Sequence, residues 1–280
     1  MESKKVWFIT GASKGLGLTL VKQLLEQGYR VAATSRSENE LNQAVGEAGR
    51  ENFLALAVNL KSEQSIAEAI EKTISQFGKI DVVVNNAGYA LTGSLEELTD
   101  EEARENFDIN VFGSLHVIRQ VMPHLRAQQS GHIFNISSIG GFTGNFPGFG
   151  IYCATKFAVQ GFTESLAAEV KPFHVHATVV YPGYFRTSFL TSGSLNVPKH
   201  QIKEYQSVRE MQDAHQQQIN GNQPGDPEKA AAVLIKMDRT ANPPLHLFLG
   251  QDAYDMAQQK IAAVEEALET WKAETISTGF

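Results

Sequence analysis

The first 90 residues alternate short apolar runs with runs of helical period, and no other feature restricts the fold as much. Lys4–Thr10 carries V-W-F-I and runs into G-A-S-K-G-L-G. A helical pattern follows, with Leu16, Leu20, Leu24 and Leu25 on its apolar side and Gly28 as its stop. Arg30–Arg36 reads as a strand, Glu38–Gly49 as a short helix and Phe53–Leu60 as a third strand. Ser62–Phe77 is a helix capped by Ser62, with Ile66, Ala69, Ile70, Ile74 and Phe77 on one face. Ile80–Asn85, I-D-V-V-V-N, is apolar on both alternations, the pattern of a strand buried on both faces. Strand and helix in strict alternation predict a parallel sheet covered by helices on both faces, joined by right-handed crossovers. The expected fold is α/β: a Rossmann-type doubly wound parallel sheet.

The pattern continues with a helical stretch over Glu101–Gln128, read as two helices meeting near Phe107–Asn110. Then come a strand at Gly131–Ser138, a helix at Phe149–Val170 and a strand at His174–Tyr181. P-G-Y-F-R-T occupies 182–187. Ser188–Asp226 is polar and Gln-rich with amphipathic fragments, and reads as a helical flap. A helix at Pro227–Met237, a strand at 245–249 and a C-terminal helix within 251–271 complete the chain. The flap has no core pattern of its own, so residues 1–280 are expected to form one domain.

The composition excludes several classes of function. Apolar residues make up 42% and charged residues 20%, ordinary for a globular protein. The net charge is −7 with no basic stripe, which argues against a nucleic-acid partner. No apolar run approaches the roughly 18–20 residues of a membrane span. The lone Cys153 forms no internal disulfide and no leader pattern precedes the first strand, so the expected location is cytoplasmic. His174 and His176 are two apart on an expected strand, without a further ligand nearby, so no metal site is expected.

Glycines 11, 15 and 17 lie between a strand and a helix. A helix N-terminus offers unpaired N–H groups and partial positive charge to a pyrophosphate, and glycines let the backbone approach it. The spacing is G-x-x-x-G-x-G, and no G-K-[ST] closes it, so it is not a Walker loop. The next strand ends T-S-R: Ser35 stands near the place of the acid that would hold the ribose 2′-OH of NAD, and Arg36 follows. With Lys14 in the loop, two cations are available for a 2′-phosphate. The expected cofactor is NADP(H), ahead of NAD(H).

Tyr152 and Lys156 are four apart at the start of a helix, and so share a face. Residues 140–150 before them hold five glycines, a proline and three phenylalanines, and read as a functional loop. Upstream of the loop a buried strand ends in Ser137 and Ser138. A strand end, a loop and a Tyr/Lys face suit proton transfer to a polarised oxygen. A cation about 4 Å from a phenol would lower its pKa of about 10 by roughly three units, so Lys156 is expected to bring Tyr152 toward neutrality.

Taken in order, these motifs resemble those of the short-chain dehydrogenase/reductase family, in particular its NADP-dependent carbonyl reductases, over about residues 4–190. T-G-A-S-K-G-L-G at 10–17 is similar to the family's cofactor loop, N-N-A-G at 85–88 to its post-strand motif, and Asn110 in D-I-N-V to its helix asparagine. Ser138, Tyr152 and Lys156 complete the apparent tetrad, and P-G-Y-F-R-T resembles the segment that closes over the nicotinamide. There are two departures. Ser138 lies fourteen residues before Tyr152, where many members have thirteen, which leaves Ser137 as an alternative hydroxyl. Asn59 stands where the family usually has an aspartate.

The resemblance implies catalysis by Asn110, Ser138, Tyr152 and Lys156, with Tyr152 as general acid/base, Lys156 holding the nicotinamide ribose and Asn110 supporting a proton relay. It implies cofactor contacts from Gly11, Ser13, Lys14, Gly15, Leu16 and Gly17, from Ser35, Arg36, Asn59 and Leu60, and from Asn86, Ala87 and Gly88. Tyr152, Lys156, Pro182, Gly183, Phe185 and Thr187 complete that set. Members of the family often assemble through the helices that correspond to those around Glu101–Gln128 and Ala154–Val170, so the resemblance leaves a homo-oligomer open without fixing the oligomeric state. The substrate wall is expected from Ser138, Phe142, Phe146, Phe149, Tyr184 and Phe189, a lining for an apolar ketone, aldehyde or secondary alcohol. The alternative is an NADP(H)-binding redox sensor of the same fold without turnover.

Overall fold

The computed structural model describes residues 4–47, 49–191 and 194–280. Among them, seven strands form one parallel sheet in the order β3-β2-β1-β4-β6-β7-β9. These are β1 (Val6–Ile9), β2 (Arg30–Ser35), β3 (Phe53–Ala57), β4 (Val82–Asn85), β6 (Gly131–Ile136), β7 (Val175–Pro182) and β9 (His246–Leu249). The order reverses between β1 and β4, which pair in register at Trp7↔Val82 through Ile9↔Val84. Strands β1 and β4 are wholly buried, as their unbroken apolar patterns require.

Helices α1 (Gly15–Glu26), α2 (Glu38–Val45) and α8 (Pro227–Asp238) belong to one layer, whose core joins Leu20, Leu24 and Leu41 to Ala231 and Leu234. Helices α3 (Glu63–Phe77), α5 (Gly113–Gln128) and α6 (Gly150–Val170) cover the other face through Ile66, Ile70, Val117, Val121 and Leu166. Ser62 and Ser37 cap α3 and α2 through the N–H groups of Ser65 and Glu40. The long helical stretch does divide: α4 (Asp100–Phe107) ends in a π-helical segment at Asp108–Phe112 before α5. That widened turn carries Asn110.

Three local expectations change. The third strand ends at Ala57, earlier than the apolar pattern suggested, leaving Asn59 and Leu60 in the loop that follows. His174 is not in a strand: it has φ 55° and precedes β7, so it does not share a strand face with His176. The flap is helical only in part. It starts with a 3-10 turn at Ser188–Leu190, and β8 (Leu195–Asn196) pairs in parallel with β5 (Ala90–Leu91). Then come α7 (Gln206–Asp213) and a π-helical turn at Ala214–Ile219. Residues 192 and 193 of the expected flap lie outside the described residues. The chain ends in α9 (Gln251–Thr270) and α10 (Lys272–Ile276). No helix among the described residues is long and apolar enough to cross a membrane.

Candidate active site

A cavity of about 610 Å³ follows the carboxyl ends of β1, β2, β3, β4, β6 and β7. This is where an open α/β sheet places its ligands, outside the strand ends at the reversal of strand order.

One end of the cavity is made by backbone. Gly11 and Gly15 adopt φ +66° and +59°, which brings the loop from β1 sharply into α1. Gly17 stands behind the loop and does not line the cavity; a Cβ there would lie 2.5 Å from Asn86 Nδ2 and 2.8 Å from the Gly11 carbonyl. The Asn86 carboxamide donates to the carbonyls of Thr10 and Gly11 at 2.9 and 3.0 Å. The N–H groups of Asn86 and Ala87 donate to Thr10 Oγ1 at 3.0 and 3.1 Å. N-N-A-G is thus stapled to the glycine loop. The first turn of α1 has no side-chain cap and no acidic residue, so its N–H groups suit a pyrophosphate.

Gly11, Ser13, Lys14, Gly15 and Leu16 line this end, with Ser35, Arg36, Asn59, Leu60, Asn86, Ala87 and Gly88. The Ser35 hydroxyl is turned inward, donating to the Ser37 carbonyl at 2.6 Å. Asn59 Oδ1 accepts from the Lys61 N–H at 3.1 Å, which leaves its amide hydrogens as donors. Lys61 lines the cavity as a third cation, but it lies 3.8 Å from Glu105 and 3.6 Å from Asp108. Among the described residues no carboxylate pairs with Lys14 or Arg36.

The other end is made by side chains. The start of α6 carries Tyr152 and Lys156, both buried. Lys156 Nζ donates to the Ile136 carbonyl at 2.9 Å and stands 5.8 Å from the centre of the Tyr152 ring. The two adjacent serines point differently. Ser137 Oγ donates to the Lys156 carbonyl at 2.8 Å and braces β6 against α6. Ser138 accepts from the Gly140 N–H at 3.1 Å and is the side chain whose hydroxyl acts to lower the Tyr152 phenol. Both line the cavity, but Ser138 is the one that shares the phenol's space. Asn110 lies behind the wall: its Oδ1 accepts from the Tyr89 N–H, and its Nδ2 donates to the Tyr89 carbonyl and Thr155 Oγ1, each at 3.0 Å. A Cβ on Gly88 would lie 2.9 Å from Asn110 Oδ1 and 3.5 Å from Lys156 Nζ, so Gly88 is the gap across which the two polar groups face each other.

The electrostatics differ from the expectation. Burial raises the Tyr152 phenol above its ordinary value, and the Ser138 hydroxyl lowers it by less. Burial also pushes Lys156 down to about 8. Its Nζ is directed at the Ile136 carbonyl, and the ammonium is still mostly charged at neutral pH. The expected lowering of the phenol by Lys156 is not found: burial is the largest influence on the phenol, and Lys156 is not among the groups that shift it.

Pro182, Gly183, Phe185 and Thr187 line the cavity between its ends, with Phe146, Phe149, Tyr184 and Phe189 beyond them. Phe142 is elsewhere. It packs edge-on to Tyr181 and Phe248, with ring centres at 5.6 and 5.1 Å, in a cluster closed by Ala253 of α9. The ring stack along β7 and β9 offers it more apolar contact than the cavity does. Sequence reasoning did not identify His215, Gln223 or Cys153 as lining residues. Cys153 follows Tyr152 directly, and could have been found from that adjacency. His215 and Gln223 sit in a polar stretch whose own pattern carries no signal.

Besides the pairing of β8 with β5, a buried carboxylate ties the flap to the loop before α4. Glu97 accepts from Arg209 Nη2 at 2.6 Å and from the N–H groups of Ile202 and Ser94 at 2.7 Å. Burial would raise its pKa, but these bonds and the guanidinium hold it below the ordinary carboxylate range.

Fold and site together define an oxidoreductase built on a dinucleotide-binding sheet. The sequence profile of the short chain dehydrogenase family matches residues 5–196, and the chain belongs to that family. It is 36% identical to oxidoreductase BOA17 of Botryotinia fuckeliana, over 96% of this chain and 97% of that one. It is 36% identical to a 3-ketodihydrosphingosine reductase of Bacteroides thetaiotaomicron, over 88% of each. The crystal structure of a short-chain dehydrogenase from Streptomyces avermitilis superposes with a TM-score of 0.90 at 34% identity, covering 100% of both chains.

Proposed function

We propose that this protein transfers a hydride between NADP(H) and the carbonyl or secondary alcohol of an apolar substrate, with Tyr152 as general acid/base. One observation carries this reading: Tyr152, Ser138 and Lys156 converge in the cavity whose other end is the glycine cradle. Lys14 and Arg36, free of carboxylate partners among the described residues, favour the cofactor with the 2′-phosphate.

Bound in the cradle, NADP(H) would supply the hydride. The residues of the chain do the rest. Ser138 hydrogen-bonds the substrate oxygen and holds it beside the phenol. Tyr152, kept protonated by burial, donates its hydroxyl proton to that oxygen as negative charge develops. Lys156 stabilises the phenolate left behind and returns a proton, with Asn110 bracing the wall on the far side of Gly88. Phe146, Phe149 and Phe189 exclude water. In the alcohol direction Tyr152, as phenolate, acts as the base.

The test is a steady-state assay of NADPH and NADH oxidation with a panel of aryl ketones and aldehydes. The wild-type protein should favour NADPH in kcat/KM by about 10–100-fold, the worth of charge-assisted hydrogen bonds to one phosphate. Tyr152→Phe should lower kcat by about 10²–10⁴-fold while NADPH binding persists. Preference for NADH would overturn the cofactor reading, and wild-type turnover by Tyr152→Phe would overturn the proton-donor reading.

A further inference from the structure

Three polar side chains in the substrate end of the cavity have no part in proton transfer. Tyr184, His215 and Gln223 all line it, yet they come from the segment after β7, the π-helical turn and the loop before α8. His215 is 4% exposed and Gln223 only 1%.

The hydrogen bonds of His215 set its tautomer. Its Nδ1 lies 2.8 Å from the Met211 carbonyl, which can only accept, so Nδ1 carries the hydrogen. Burial holds the imidazole below its usual pKa, and its Nε2 is then an acceptor. Tyr184 Oη stands 3.0 Å from that Nε2 and must donate to it. The phenol's hydrogen is thereby committed, and only its lone pairs remain to serve the cavity.

The Tyr184 backbone is pinned as well. Its N–H donates to Asp252 Oδ2 at 2.6 Å, and its carbonyl accepts from the Gly225 N–H at 2.9 Å. The ring of His215 packs on Phe149 at 4.7 Å, and Phe149 packs edge-on to Tyr152 at 6.2 Å. One phenylalanine therefore separates the polar cluster from the proton donor.

Gln223 adds an anomaly. Its backbone carbonyl accepts from Arg186 Nη2 at 3.2 Å, but both atoms of its carboxamide are buried without a partner. An unpaired buried amide is destabilising, and its persistence in a cavity wall calls for a partner. The cations that line the cavity are Lys14, Arg36 and Lys61 around the cofactor cradle, and Lys156 beside Tyr152. None belongs to this cluster, and the unpaired carboxamide is itself neutral, so an uncharged group that can donate and accept suits it.

We propose that Tyr184, His215 and Gln223 form a recognition site for a second polar group, a hydroxyl or amide N–H, on an otherwise apolar carbonyl substrate. Tyr184 accepts from that group, His215 holds Tyr184 in the accepting state, and Gln223 completes its hydrogen bonds. The proposal rests on the carbonyl-reduction reading above and narrows it: the substrate is bifunctional, with an apolar spacer between the reacting carbonyl and a distal donor.

The experiment compares benzylacetone with its para-hydroxy analogue, two ketones that differ by one distal hydroxyl. Within each protein variant the ratio of the two kcat/KM values is read, so that any general loss of activity cancels. The wild type should favour the hydroxy ketone by about tenfold, the worth of one well-made hydrogen bond. Gln223→Leu should bring the ratio close to one, and so should Tyr184→Phe combined with His215→Phe, which removes the Nε2 acceptor that Tyr184→Phe alone would free. Melting temperature checks folding, and Gln223→Leu should raise it, because it replaces an unpaired buried amide with an apolar group. A wild-type ratio of one or less overturns the proposal, as does a tenfold ratio kept by both variants. If neither ketone is reduced, the reduction reading fails. The same pair is then measured calorimetrically on the protein–NADP complex, where equal affinities overturn the recognition site and tighter binding of the hydroxy ketone upholds it.

Discussion

The two ends of the cavity are built by different means. At the cradle the chain shapes itself with backbone: two left-handed glycines, an uncapped helix start and the Asn86 staple, all from residues close to β1 and β4. At the substrate end the chain uses side chains brought from far apart. Glu97 and Arg209 are separated by 112 positions, and Tyr184 and His215 by 31. A backbone-made site depends on residue types that nothing else replaces, since only glycine turns and approaches closely there. A side-chain-made site depends on which surfaces meet.

The comparison can be strained from either end. The largest effect should come from Glu97→Gln, which leaves Arg209 without its carboxylate in the wall of the flap. Breaking a buried pair costs about 3 kcal/mol, equivalent to a fall in Tm of about 5 °C in a chain of this length. Thermal melts should show it, and limited proteolysis should cut first within 197–222. The pH dependence has a definite sign. The Glu97 carboxyl is held below its ordinary range, so its contribution is present at neutral pH and is lost as pH falls through that lowered value. An unchanged Tm would show that the flap is held elsewhere.

Gly17→Ala tests the other end. Its Cβ would press on Asn86 Nδ2 and the Gly11 carbonyl, loosening the cradle while leaving the flap untouched. The Kd for NADPH, read by fluorescence titration, should rise about tenfold, with saturating kcat changed less. An equal fall in kcat would mean that the two ends are mechanically coupled. The smallest effect concerns Lys156. With its ammonium titrating at about 8, carbonyl reduction should weaken as pH rises through that value, since the neutral amine cannot stabilise the phenolate. A profile flat from pH 7 to 9 would remove Lys156 from that role.

Much of the fold was legible because the sheet is buried on both faces. Strands such as V-V-V-N and helices such as Glu63–Phe77 have unmistakable periods. The glycine loop and the Tyr/Lys spacing were legible for the same reason: each lies within one element or one turn. Phe142 shows the limit. It sits in the same loop as Phe146, yet it packs away from the cavity because β7, β9 and α9 bring Tyr181, Phe248 and Ala253 to its side. The pair Ser137 and Ser138 shows it again. Alternation along a strand end says that the two hydroxyls diverge, but only the position of α6 decides which one faces the phenol.

By itself the sequence determined a doubly wound sheet, the place of the glycine cradle and the helix face that pairs Tyr152 with Lys156. Local periodicity and residue chemistry suffice for each of these. Only the tertiary structure decided that burial raises the Tyr152 phenol and lowers Lys156, that a π-helical turn carries Asn110, and that His215 commits the hydrogen of Tyr184. Desolvation and hydrogen-bond direction depend on what surrounds a group on every side, and those surroundings come from residues distant along the chain.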